Sequence, residues 1–135
     1  MKTVSEVRVR YAETDQMGVA HHSSYVAWLE LARVDWLRAA GLDYAEIERG
    51  GVFFPVVELQ IRYRAPARFD EVLQVTTWLQ ELGSRRFAMA YEIQKAGGVV
   101  ASARTVHVPQ DAAGRARRLP TELFRTFQEA LGGQT

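Results

Sequence analysis

The chain has 135 residues and a mass of 15.3 kDa, the size of one ordinary domain and too short for two. Its composition, 47% hydrophobic and 24% charged with 10 glycines and 4 prolines, describes a chain able to bury a core and not a disordered one. A net charge of +1 argues against a dedicated nucleic-acid binder, and the absence of cysteine removes disulfides, thiolate metal sites and cysteine nucleophiles while suiting a cytoplasmic compartment.

The opening MKTVSEVRVR lacks an apolar secretory core, and nowhere does an apolar run approach the roughly 18 residues of a membrane span. In that opening, Val4, Val7, Val9 and Tyr11 interleave with Glu6, Arg8 and Arg10, which predicts a half-buried strand. A polar, turn-rich segment with Gly18 inside it follows. From Tyr25 the period becomes helical: Tyr25, Leu29, Ala32, Trp36 and Ala40 share one stripe, widened by Trp28 and Leu37. Ser23 or Ser24 is the expected N-cap and Gly41 the expected terminating glycine. A short helix over Asp43–Arg49 ends at Gly50-Gly51. Four long strand-like runs come next, at 53–64, 71–82, 85–96 and 99–110, separated by APARFD, Gly83-Ser84 and Gly97-Gly98. Such short punctuation predicts an antiparallel sheet of sequential neighbours. Residues 120–131 read as a closing helix with Pro120 in its first turn. The fold class is therefore α+β in one domain over residues 1–135, a curved antiparallel sheet of about five strands wrapped around one long helix. One helix cannot cover five strands, so a homo-oligomer, dimer or tetramer, is expected.

No nucleotide-binding loop, serine-hydrolase elbow or zinc motif is present, which leaves carboxylates, hydroxyls, three histidines and backbone donors for any chemistry. The densest polar stretch, Tyr11 to Tyr25, runs into the N-terminus of the long helix. That places Asp15 just ahead of free backbone N–H groups at a positive dipole end, the parts needed to hydrolyse an acyl group. A plain turn-capping role for Asp15 is the alternative.

The residues Tyr11, Glu13-Thr14-Asp15, Gly18-Val19, His22, Ser24-Tyr25-Val26, Glu30 and Ala32-Arg33, followed by Tyr63, Ala65-Pro66-Ala67-Arg68, Asp70 and Leu119-Pro120, resemble one family over nearly the whole chain. The pattern is similar to the hotdog-fold thioesterases of the 4-hydroxybenzoyl-CoA thioesterase family, and within it to the short-chain acyl-CoA thioesterases associated with the Tol–Pal system. The resemblance implies an acyl-CoA substrate, Asp15 as base or nucleophile, the His22 N–H as donor to the thioester carbonyl, and Gly18 as the glycine that lets backbone approach the substrate. It implies no metal and no cofactor. His21 stands where relatives carry Tyr and is expected to line the acyl pocket, with Val19 and Tyr25 also against the substrate. The His22 ring is read as a possible hydrogen-bond partner near Asp15, and Glu30 as the helix ion-pair partner of Arg33.

Residues 1–60 carry a net charge of −3 and residues 61–135 one of +4, and fifteen of the 17 basic residues are Arg. Two arginine clusters can hold the phosphates of coenzyme A: Ser84-Arg85-Arg86 at a strand start, and Arg115, Arg117 and Arg118 before the last helix. Two other readings carry the same features: a non-catalytic acyl-thioester binder, and a hotdog dehydratase or hydratase, for which no convincing Asp–His pair is visible.

Overall fold

A computed structural model describes residues 1–132. Among the described residues, five strands and three α-helices follow one another in the order β1 (Lys2–Arg8), α1 (Ser24–Ala39), α2 (Tyr44–Arg49), β2 (Val56–Tyr63), β3 (Val72–Leu82), β4 (Phe87–Lys95), β5 (Gly98–His107) and α3 (Thr121–Gly132). The five strands form one sheet in the order β1-β3-β4-β5-β2, with every pairing antiparallel. The expected α+β architecture is present.

Strand alternation decides which face is inside. Leu73, Val75, Thr77 and Leu79 of β3 and Phe87, Met89, Tyr91 and Ile93 of β4 point inward and are all buried. Against them α1 lays Trp28, Leu29, Ala32, Trp36 and Leu37, the stripe its sequence period announces. Phe127 of α3 joins the same core, edge to face with Trp36 and Phe87. In β1 the inward residues are Ser5 and Val7, followed just past the strand by Val9; Val4 and, beyond the strand, Tyr11, both expected on that face, point out at 65% and 75% exposure. The buried Ser5 hydroxyl is satisfied by donating to Asp35 on α1.

Two expectations need correction. The connection over residues 65–70 reads as a hairpin turn, but β2 does not pair with β3. It crosses to the far edge and pairs with β5, with β4 and β5 lying between it and β3. The crossing segment runs past the start of α1, where it bonds to the loop before that helix: the Ala20 N–H donates to Ala67 O at 2.7 Å and the Phe69 N–H to Gly18 O at 2.9 Å. Lys95 closes the segment against β4 by reaching Pro66 O and the Glu71 carboxylate. The second correction concerns caps. Neither serine caps α1, because Ser23 turns its hydroxyl to His21 and Ser24 to Glu13 O. Asp43, by contrast, caps α2 through the N–H groups of Ala45 and Glu46. Pro120 stands just ahead of α3, its carbonyl taking the Phe124 N–H.

The strand β2 forms an open edge. Its residues are exposed along nearly the whole strand, with Val57, Leu59 and Tyr63 each close to half accessible. Among the described residues no helix is long and apolar enough to cross a membrane.

Candidate active site

Between the end of β1 and the start of α1 the chain makes a single 3₁₀ turn at Tyr11–Glu13 and then a tight hairpin closed by the Thr14–Ala20 bridge. Asp15 pairs back across this hairpin, its N–H donating to Val19 O at 2.9 Å. Gly18 makes the reversal with φ +74 and donates its N–H to Asp15 O. Nothing lies within 4 Å of where a Cβ would stand at Gly18, so the requirement for glycine within the chain is conformational and not steric.

The Asp15 side chain uses one oxygen for structure and presents the other. Oδ1 accepts the N–H groups of Met17 at 2.8 Å and Val19 at 3.2 Å, an Asx turn that fixes the carboxylate plane. Oδ2 has no protein partner among the described residues, and the residue is exposed. Turn capping is thus observed, and it leaves half the carboxylate available.

At the other end of the hairpin the backbone donors are taken one by one, with one exception. The His21 N–H goes to Glu13 O at 2.8 Å, Ser23 N–H to the His21 ring, and Ser24 N–H to His21 O at 2.9 Å. The N–H of His22 meets no protein acceptor among the described residues. It sits at the positive end of the 16-residue helix α1, where an anionic oxygen is favoured. Tyr63, at the end of β2, steadies the same turn by donating its hydroxyl to His22 O at 3.1 Å.

The remaining expected site residues divide into near and far. Val19 lies in the hairpin, half-buried and bridged to Arg68. His21 is exposed; its Nδ1 accepts from Ser23, and its ring lies 4.3 Å from that of His22. His22 makes no hydrogen bond to Asp15, whose partners are backbone groups, so the tuning contact expected there is absent among the described residues. Tyr25 is buried at 2%, its ring between Trp28 at 4.7 Å and Tyr63 at 4.9 Å, and burial followed by the neighbouring Tyr63 raises its pKa. Exposed apolar side chains surround the hairpin instead: Met17, and Tyr11 edge to face with Phe69. Among the described residues no three His, Asp or Glu side chains converge as metal ligands.

Ser84, Arg85, Arg117 and Arg118 lie at the opposite end of the sheet. The hairpin borders the Val72 end of β3, whereas Ser84 and Arg85 follow Leu82 at its other end. Eleven residues of strand separate the two ends, about 35 Å at full extension. The two arginine clusters, read from sequence as alternatives, prove to be neighbours, because the Leu119 N–H donates to Ser84 O at 2.8 Å. None of Arg85, Arg86, Arg115, Arg117 and Arg118 is paired with an acid among the described residues. Glu30 and Arg33 do not pair either: Arg33 turns inward and donates to the Tyr91 hydroxyl at 3.2 Å.

That contact begins a second polar constellation, which the sequence did not reveal. The Tyr91 hydroxyl meets Thr105 Oγ1 at 2.6 Å, Thr105 meets His107 Nε2 at 2.8 Å, and His107 Nδ1 meets Phe54 O at 3.0 Å. A carbonyl only accepts, so Nδ1 carries the proton, Nε2 accepts from Thr105, and Thr105 accepts from Tyr91. Every link then runs one way, from Arg33 to Phe54 O. Burial lowers the His107 pKa to about 4, and the ring stacks on Phe87 at 4.9 Å.

Residues 9–131 match the family described as the thioesterase-like superfamily. The acyl-CoA thioester hydrolase YbgC of Escherichia coli O6:H1 is 30% identical to this chain, over 91% of the chain and 93% of that protein. Among solved structures, the hypothetical protein TT1821 from Thermus thermophilus superposes with a TM-score of 0.91 at 48% identity, covering 96% of this chain and 98% of that one. Slr0204, a 1,4-dihydroxy-2-naphthoyl-CoA thioesterase from Synechocystis, superposes with a TM-score of 0.84 at 26% identity, over 99% and 98% of the two chains.

Proposed function

We propose, from the premise that the chain belongs to the thioesterase-like superfamily and is a hotdog-fold thioester hydrolase, that it acts on acyl-CoA and that Asp15 and the His22 N–H form its reaction centre. The observation that carries this is the pair of groups left unused by an otherwise satisfied hairpin, a carboxylate oxygen and a backbone donor at a helix N-terminus. The thioester oxygen accepts from the His22 N–H, and the dipole of α1 stabilises the charge that develops on it. Asp15 Oδ2 either draws a proton from water, which then adds to the carbonyl carbon, or attacks that carbon itself. Collapse of the adduct breaks the C–S bond and the leaving thiolate takes up a proton. On the second route the acyl group is left as a mixed anhydride with Asp15, which water then cleaves, so both routes consume one water and yield the carboxylic acid and the coenzyme A thiol. The collar of Tyr11, Met17 and Phe69, with Val19 and His21, offers the acyl group an apolar surface beside the hairpin.

The arginines fit this scheme if two copies pair through their β2 edges. About a two-fold axis, antiparallel pairing sets the start of one β2 against the end of the other. The start of β2 adjoins the arginine segment, through the Phe53–Gln110 and Gln110–Ala116 bridges, and its end carries Tyr63 on His22. Each copy thereby brings Arg115, Arg117 and Arg118 toward the other's hairpin, where they bind coenzyme A phosphates. The site is cytoplasmic and needs no cofactor beyond the substrate. Thiol release from a panel of alkyl and hydroxyaryl acyl-CoAs tests the activity, and hydrolysis of none of them refutes it. Single-turnover hydrolysis in heavy-oxygen water labels the Asp15 carboxylate only if that group attacks.

A further inference from the structure

Glu13 is the one acidic residue that the fold buries among the described residues, at 8% exposure, and it stands two positions before Asp15. A buried carboxylate is expensive unless its acceptor sites are filled. Those of Glu13 are: Oε1 takes the Arg10 N–H at 2.8 Å, and Oε2 takes the Trp28 indole N–H at 2.9 Å and Arg10 Nη2 at 3.4 Å. Its main-chain carbonyl takes two more donors, the His21 N–H from the loop before α1 at 2.8 Å and the hydroxyl of Ser24, the first residue of α1, at 2.9 Å. One residue therefore grips α1 at positions 24 and 28, about one turn apart, and the loop before it at position 21. Trp28 in turn packs on Tyr25, and Tyr25 on Tyr63, which holds His22 O.

We infer that Glu13 is a positioning residue for thioester hydrolysis, locking the Asp15 hairpin to α1 so that the carboxylate and the His22 N–H keep one fixed separation. The inference rests on the reading of Asp15 and His22 as the reaction centre. Glu13 touches no substrate, because its oxygens are occupied and inside. The main-chain bonds of Glu13 tie the hairpin to the first residue of the helix and the loop before it, and the carboxylate bond to Trp28 adds a second hold one turn further along, which fixes the tilt of the hairpin on the helix. An apolar side chain under Trp28 would fill the space at lower desolvation cost, but it would leave the indole and Arg10 N–H groups without an acceptor.

The test compares Glu13→Gln, Trp28→Phe, the double variant, Asp15→Asn and Val75→Ala as purified proteins in one thiol-release assay, well below their melting temperatures. Gln keeps the shape but turns a donor toward a donor; Phe removes the donor from the other side. Each single change should lower kcat by about tenfold to a hundredfold, as sub-ångström misplacement does, with KM within about threefold. The double variant should be no slower than the worse single, since both remove the same bond. Val75→Ala, a core truncation away from the hairpin, should lower the melting temperature and leave kcat alone. If folded Glu13→Gln and Trp28→Phe keep wild-type kcat while Asp15→Asn is inactive, the Glu13 inference falls and the reaction centre stands. If Asp15→Asn keeps its turnover, the centre itself is wrong. Additive losses in the double variant also overturn the inference, because the two residues then act separately.

Discussion

The core of the molecule and the hairpin ahead of α1 hold polar clusters built on opposite principles. Inside, Arg33, Tyr91, Thr105 and His107 form a continuous chain of hydrogen bonds that ends on Phe54 O, packed against Phe87. At the hairpin, one carboxylate oxygen and one N–H are left over in an exposed setting. The inner cluster is the more eye-catching by residue type, since it contains a histidine with a lowered pKa, ordinarily a mark of catalysis. Its shift comes first from burial, and its bonds are saturated, so it specifies the core. The outer cluster is made of ordinary parts that are incompletely satisfied, and on the proposed mechanism that incompleteness is what the substrate completes.

The contrast is sharpest at Asp15. Replacing it by Asn keeps the Asx turn through Oδ1 and removes the base or nucleophile, so turnover should fall at least a hundredfold with the fold intact. His107→Gln should leave turnover within about threefold by the same assay; a collapse there would reverse the assignment of the two clusters.

Stability against pH probes the inner cluster. With a folded pKa of about 4 against 6.5 for the free side chain, the folded state binds fewer protons than the unfolded one between those values. Stability therefore rises with pH through this window and is lost on acidification, by about 2 kcal/mol between pH 7 and pH 5. Denaturant melts at the two pH values should show this loss in the wild type and a shallower one in His107→Gln. Equal slopes would remove His107 as the cause.

The smallest effect belongs to the arginines. Arg117→Ala with Arg118→Ala should raise KM for acyl-CoA several-fold, roughly 1 kcal/mol of binding, with kcat little changed and the difference shrinking as salt rises. A truncated acyl-pantetheine should not notice the change. Equal losses on both substrates would mean that the arginines act through structure.

Period and punctuation make the strands and α1 legible in the sequence, because alternation and the 3.6-residue stripe report burial directly. The crossing of β2 was hidden, since six residues, Ala65 to Asp70, look the same whether they turn a hairpin or traverse a sheet. The polar hairpin with Asp15 stood out by composition. The role of Glu13 did not, because it depends on an indole fifteen positions away meeting its carboxylate. Nor was the union of the two arginine clusters visible, as it rests on a single backbone bond from Leu119 to Ser84 that leaves no side-chain signature. Both serines at the start of α1 suit a cap, yet the nearby His21 ring and Glu13 carbonyl win their hydroxyls.

Placing the hairpin and the arginines at opposite ends of β3 has a genetic meaning. On the proposed two-fold pairing, each reaction centre would be a composite of two copies of the chain, its carboxylate from one and its arginines from the other. A copy lacking Asp15 and a copy lacking Arg117 and Arg118 are each defective alone, yet a hybrid of the two rebuilds one intact centre and concentrates both lesions in the other. Two damaged alleles would complement one another, which a protein with self-contained sites would not allow.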